Sequence, residues 1–384
     1  MHCLGRSVSS VRHLTVMCLS LVCVLTGTAI SEYGQLLQVA AVVVTGLEGV
    51  ASGAGRAWLS DHEIPLGRIA ERIISAQRNA SAHHTVTAGL IWGCPEADLC
   101  HRPEGQGLFF SSGLWAWRGL VDIAGALGQL GLTSLGSIVS TADMSHAAAQ
   151  LQNDTSAVVA TSAQASGWLP PCLKCLPSAE APFGNMTQST IASYTNYRFW
   201  PEMLSSGGLL DSVAEGLGRY RQSHGGELLG MTRFEQWVDD WPVTNVALWW
   251  LSLEPNSTIG SAERYSMITL AHLAHHSTRG TFTAFEQANW ADSQADNCVP
   301  SQLVVPMLLT NMLVHVTETP AVAAEERVST IWLHRGVPRH WFRSPAGGFQ
   351  ATNISVWASG MIATEVQVYN QSAVCTLTVA HRMA

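Results

Sequence analysis

The stretch GLFFSSGLWAWRGLVDIAGAL, residues 107–127, decides the fold class. Within it Leu114, Trp117, Val121, Ala124 and Leu127 recur every three or four positions, which places them on one face of a helix. Leu210, Val213, Leu217 and Tyr220 repeat that period, and helical texture also covers about 36–55, 66–79, 137–164, 243–253, 261–277 and 301–317. Between these stretches lie loops containing Gly, Pro and Trp at 89–107, 225–242 and 278–298. Long helices joined by long loops predict a mainly α protein, a helical toroid whose rim loops build a site, rather than a short-loop bundle.

Two segments depart from that texture. Residues 166–192, with Pro170-Pro171, two cysteines and a Ser/Ala/Pro-rich run, read as a linker or long loop. From 331 to 384, Ile331 to Leu333, Asn353 to Trp357, Thr364 to Tyr369 and Val374 to Val379 alternate as strands do, which predicts a small C-terminal β-rich segment. The expected organisation is therefore a leader at 1–30, a helical toroid domain at 31–330 and β structure at 331–384.

The leader carries basic residues at Arg6 and Arg12, an apolar run from Leu14 to Ile30, and small residues at Gly27 to Ala29. Those are the parts of a cleaved secretory signal, with an uncleaved signal anchor as the alternative. Asn-x-Ser/Thr sequons follow at Asn79, Asn153, Asn185, Asn256, Asn353 and Asn370, which fits a secreted or lumenal glycoprotein with no stable membrane span once the signal is removed. Beyond the leader six cysteines remain, Cys94, Cys100, Cys172, Cys175, Cys298 and Cys375. In an oxidising compartment disulfides are expected, and Cys172-x-x-Cys175 has no second pair to complete a zinc site.

At 47% apolar and 12% charged, the 384-residue chain can bury a large core. Its net charge of −8 argues against nucleic acid as a partner. Lys174 is the sole lysine, so no P-loop can be written, and a Pro/Cys-rich segment is a poor place for a Schiff base. Neither a nucleophile elbow nor a dinucleotide fingerprint occurs.

Four aromatic and polar clusters are candidates for chemistry. The first, residues 89–98, carries Glu96 and Asp98 between glycines and continues into Trp115, Trp117 and Arg118. There an arginine among tryptophans can hold a ring-shaped ligand, or pair with a buried carboxylate inside an aromatic core. The second, residues 194–202, carries Arg198 and places Glu202 in the expected first turn of a helix, where a carboxylate is favoured on structural grounds alone. The third, residues 233–242, sets Asp239 and Asp240 between Trp237 and Trp241, behind Arg233; one of the acids can simply cap the next helix. The fourth gathers His275, His276, Arg279, Glu286 and Gln287. His272, His275 and His276 share a helix face without a third-ligand motif, so no metal is expected.

In this order the clusters resemble six-hairpin, (α/α)6-barrel glycoside hydrolases of the processing-glucosidase-like kind, across about residues 66–384. The run from Gly93 to Asp98 is similar to their acid-bearing loop, and Trp115 to Leu120 to their Trp-Arg-Gly helix start. Arg279 to Gln287 looks like the later loop that supplies the second carboxylate. Residues 331–342 look like the exit from the barrel into β structure. Eight or nine helices can be marked where such a toroid has twelve, so a truncated member is expected.

The resemblance implies hydrolysis of an O-glycosidic bond in a carbohydrate substrate by two carboxyl groups, with inversion and without a cofactor. Asp98, with Glu96 as substitute, becomes the general acid and Glu286 the general base, with Asp240 in reserve. Trp115, Trp117, Trp237 and Trp241 would stack on sugars. Arg118, Arg198, Arg233, Arg279 and Asp239 would bind hydroxyls or orient carboxylates. The alternatives are a catalytically inactive carbohydrate-binding relic and a helical scaffold.

Overall fold

The computed structural model describes residues 29–96, 100, 106–175, 191–234, 236–239, 243–253, 261–275, 285–289, 295–296, 300–318, 329–338, 348–356, 360–369 and 372–380. The leader before residue 29, and Asp98, Asp240, Trp241 and Arg279, lie outside the described residues. Within them the chain is mainly helical with several small antiparallel sheets.

Helices α1 (Ile30–Val50), α2 (Ala54–Ala82), α4 (Phe110–Gln129) and α5 (Thr141–Ser162) pack together, and the four-residue α3 (His84–Thr87) follows α2. Their shared core includes Leu37, Val44, Leu59, Ile73, Leu120, Ile123, Leu127 and Leu151. The α1–α4 contact is backbone to backbone. A Cβ on Gly34 would sit 2.1 Å from the Trp115 carbonyl oxygen, and one on Gly119 would sit 2.3 Å from the Gly34 oxygen. Only glycine at both positions allows that approach. By length and composition α1 is apolar enough to cross a membrane, with mean hydropathy 1.2, but more than half of that stretch is buried inside this fold.

Local signals account for the helix ends. Ser140 accepts from the Asp143 N–H at 3.0 Å and donates to the Asp143 carboxylate at 2.6 Å, which caps α5. Glu48, near the end of α1, accepts from the N–H groups of Gly53 at 2.7 Å and Gly55 at 3.1 Å and so caps α2. Those hydrogen bonds, the one from Gly53 foremost, hold its carboxyl below the usual glutamate range. Helix α2 begins twelve residues before the start expected at residue 66 and carries Pro65 inside it. A proline removes one helical N–H, but Trp58 and Leu59 before it and Leu66, Ile69 and Ile73 after it are all buried on the same core. Tertiary packing outweighs the local break.

A second core includes Trp200, Leu217, Trp250, Tyr265 and Leu308, contributed by α6 (Ile191–Ser205), α7 (Asp211–Ser223), α8 (Val243–Ser252), α9 (Ser261–His275) and α10 (Val304–Leu313). Helix α4 links the two cores: Phe110 and Leu114 enter the second, Trp117 and Leu120 the first. It packs on α6, which packs on α8, which in turn contacts α9 and α10.

The loops expected at 225–242 and 278–298 contain an antiparallel meander instead. Its strands are β5 (Glu227–Leu228), β6 (Met231–Phe234), β7 (Trp237–Asp239), β8 (Gln287–Asn289) and β9 (Ala295–Asp296), in that order. Strands of two to four residues are too short to display an alternating pattern, so the period of two is invisible there. The segment at 166–192 is also corrected in part. Trp168 and Leu169 are buried in the second core, and β4 (Cys172–Leu173) pairs with β1 (Leu108–Phe109). A two-stranded sheet, β2 (Ser134–Leu135) with β3 (Val139–Ser140), precedes α5.

The C-terminal texture is strand as expected. Strand β10 (Val314–Glu318) continues directly from α10 and pairs with β11 (Ser329–Leu333). A separate three-stranded sheet holds β12 (Gly348–Val356), β13 (Gly360–Tyr369) and β14 (Ser372–Ala380).

Candidate functional site

The acid-bearing loop is fixed at both ends. Gly93 and Gly107 exchange two backbone hydrogen bonds of 3.0 Å, and Cys94 is bonded to Cys100 across a Cα separation of 5.1 Å. The Pro95 carbonyl accepts from the Ser31 hydroxyl of α1. Cys172 and Cys175 form a second disulfide, so this pair is not a zinc half-site, and it lies beside the loop through the β1–β4 pairing. Glu96 is thereby carried inward to 5% exposure. Its Oε2 accepts from Arg198 Nε at 2.8 Å and Nη2 at 2.6 Å.

Arg198 lies on α6 one turn before Glu202, and the two face the same buried region. Glu202 is 6% exposed, and its Oε2 has no hydrogen-bond partner. Burial raises its pKa to about 8; the Arg198 charge opposes that rise, and the charges of Glu96 and Glu32 add to it. The expectation that Glu202 opens a helix is corrected, because α6 runs from Ile191 to Ser205 through Pro201 and leaves Glu202 in its last turn. There the helix dipole disfavours a carboxylate, so the structural explanation offered by a first-turn position is gone. The Glu202 carbonyl, which already accepts from the Ser206 N–H at 3.2 Å, also receives Trp115 Nε1 at 3.1 Å.

The site thus sets Glu202, its carboxyl pushed up to about 8 by burial, beside Glu96, which is bound by the Arg198 guanidinium. A buried carboxyl with a raised pKa is able to donate a proton near neutral pH. Local spacing hid it. The Arg198–Glu202 step of four residues is a helical spacing, but the 194–202 cluster reads as lying ahead of a helix, whereas Ile191–Ser205 is itself the helix.

The other expected residues fall into three groups. Trp115 is half-buried beside Glu202, whereas Trp117 is 4% exposed, packed in the first core with its ring against Gly208. Arg118 pairs with the fully buried Asp122 at 2.6 Å and reaches the Ser206 carbonyl at 3.5 Å. That is the core-aromatic and buried-pair arrangement, with Trp117 and Arg118 both engaged within the protein. On the meander, Asp239 is buried and accepts from Gln287 Nε2 at 3.0 Å across the β7–β8 pairing, and half-buried Glu286 immediately precedes β8. Trp237 packs against the second core, and burial depresses the pKa of Arg233 on β6. Helix α6 contacts β6, so the meander borders the helix that carries Arg198 and Glu202.

Among the described residues no group of three or more His, Cys, Asp and Glu is placed to hold a metal ion. No protein-family model, no curated protein and no solved structure matches this chain.

Proposed function

We propose that the chain hydrolyses an O-glycosidic bond in an oligosaccharide or glycoconjugate, with Glu202 as the proton donor. The observation that carries the reading is Glu202, buried with an unpartnered Oε2 and its carboxyl pushed up to about 8, beside the Glu96–Arg198 pair. Glycosidic cleavage needs a proton delivered to the leaving oxygen and a second carboxylate that activates water or attacks the anomeric carbon. Glu202 takes the acid role in place of Glu96, which is committed to Arg198; Asp98, the acid expected first, lies outside the described residues. Asp98, in the same disulfide-closed loop, and Glu286, with Asp240 in reserve, are the candidates for the second carboxylate. Inversion would set that group about 6.5–9.5 Å from Glu202. Trp115 offers a ring beside the acid. In this reading the helices are part of an (α/α)6 toroid, and the protein is made through the secretory route, released or signal-anchored.

A second reading is an inactive relic or a helical scaffold, and the internal engagement of Trp117 and Arg118 favours it. Assay of wild type and Glu202→Gln on a panel of aryl glycosides and oligosaccharides, with sugar binding measured separately, divides the readings. A catalytic Glu202 predicts a loss of about 10²–10⁴-fold with binding kept. Wild-type binding without turnover supports the relic, and neither binding nor turnover supports the scaffold.

A further inference from the structure

The Cys172–Cys175 disulfide is built as an exchange site rather than as a staple. Its two sulfurs are placed unequally. Cys172, on β4, is 0% exposed and packs with Phe109 and Phe199, whereas Cys175 is half-buried at the edge of that cluster. Only two residues separate the cysteines, so the bond restrains the unfolded chain less than a wider ring would and adds correspondingly little to the fold.

Lys174 closes the turn between them. Its φ of 52° is a left-handed conformation that residues with a Cβ rarely adopt, and opening the S–S bond lets it return to ordinary backbone. The lysine immediately precedes Cys175, and its Nζ donates to the Val86 carbonyl of α3. Once the bond is open, a cation next to one cysteine of a C-x-x-C pair favours the thiolate there, while apolar surroundings keep Cys172 a thiol.

We infer that Cys172 and Cys175 form a redox-active pair that passes its disulfide to a dithiol substrate. A substrate thiolate attacks the half-buried Cys175 Sγ, the Cys172–Cys175 bond breaks, and Cys172 leaves and takes up a proton. The second substrate thiolate then attacks the substrate sulfur of the mixed disulfide and expels Cys175 as a thiolate beside Lys174. The substrate loses two electrons and closes its own disulfide; Cys172 and Cys175 gain those electrons as a dithiol. Cys94–Cys100, a wider ring with a sequence separation of 6, is the contrast, a structural bond that closes the acid-bearing loop. The inference is independent of the glycosidase reading and needs no glycoside turnover to test it.

The folded protein is equilibrated with graded ratios of reduced to oxidised dithiothreitol, quenched with acid, alkylated, and read cysteine by cysteine by peptide mass spectrometry. Cys172 and Cys175 should open together at ratios that leave Cys94–Cys100 bonded and the far-UV circular dichroism unchanged. With oxidised glutathione, Cys172→Ser should carry a glutathione on Cys175, and Cys175→Ser should leave the buried Cys172 unmodified. Lys174→Gln should slow the reduction by dithiothreitol by roughly threefold, through a poorer Cys175 leaving group. Opening of both disulfides at one ratio, or of Cys172–Cys175 only as the chain unfolds, overturns the inference, and this wild-type measurement stands whether or not the variants fold. Equal glutathione adducts on Cys172 and Cys175, or an unchanged rate in Lys174→Gln, overturn it as well.

Discussion

Arg198 Nη2 lies 2.6 Å from Glu96 Oε2 and joins a helix to a disulfide-closed loop 102 residues earlier in the chain. Both side chains are largely buried, at 14% and 7% exposure. A buried pair of this kind adds little net stability over an apolar replacement, but removal of one partner strands the other charge.

Arg198→Ala should therefore destabilise the fold by about 3–5 kcal/mol, and Glu96→Gln by a smaller amount because the amide can still accept from Arg198. The double variant should be less destabilised than the sum of the singles. Urea denaturation of the four proteins checks it. Additive losses would show that the pair is not coupled.

That pairing also marks what local pattern reading can reach. Leu114 to Leu127 and Leu210 to Tyr220 show their helices by period alone, and the strands after residue 331 show theirs by alternation, because each element buries one face over several repeats. Helices α2 and α6 each run through a proline, Pro65 and Pro201, and their extent before it rests on tertiary packing that the local period does not show. The meander escaped because Trp237 to Asp239 and Gln287 to Asn289 are too short to display a period. Glu96 was legible as an acid in a loop. Its partner Arg198 and the raised pKa of Glu202 depend on which surfaces meet, which no spacing encodes.

Gly34 and Gly119 make a separate prediction about the first core. Gly34→Ala would place a methyl group against the Trp115 carbonyl, and backbone cannot rotate aside as a side chain can. Separation of α1 from α4 should cost about 1–3 kcal/mol, the usual range for overpacking. A loss of near-UV circular dichroism signal together with lowered Tm is expected. Gly128→Ala, at a position with open space within 4 Å, is the control and should be neutral or slightly stabilising.

His315 sets the acid side of the stability profile. Burial, with a smaller contribution from the Arg335 charge, lowers its pKa to about 4. Between pH 6.5 and 4 the unfolded chain binds the proton that the folded chain refuses, so stability falls as pH drops through that window. The slope approaches about 1.4 kcal/mol per pH unit for one such group. His315→Gln should flatten that limb relative to wild type while leaving stability above pH 7 nearly pH-independent on its account. Parallel denaturation curves for the two proteins from pH 4 to 7 would exclude this role.

Glu202 sets the alkaline side, with the opposite sign. Its folded pKa is raised from 4.5 to about 8, so between those values the folded chain holds a proton that the unfolded chain has released. Stability must then fall as pH rises from about 4.5 toward 8, and level off above it, where the buried carboxylate is charged in both states. Glu202→Gln keeps the shape and remains neutral at every pH, so its stability advantage over wild type should grow through that window at up to about 1.4 kcal/mol per pH unit. If Glu202 is also the proton donor, hydrolysis should fall above pH 8, on the same titration that shapes the stability curve. The two readouts separate the claims: a stability difference with no alkaline fall in turnover leaves Glu202 a buried structural acid, whereas a difference that stays constant from pH 5 to 8 removes the raised pKa itself.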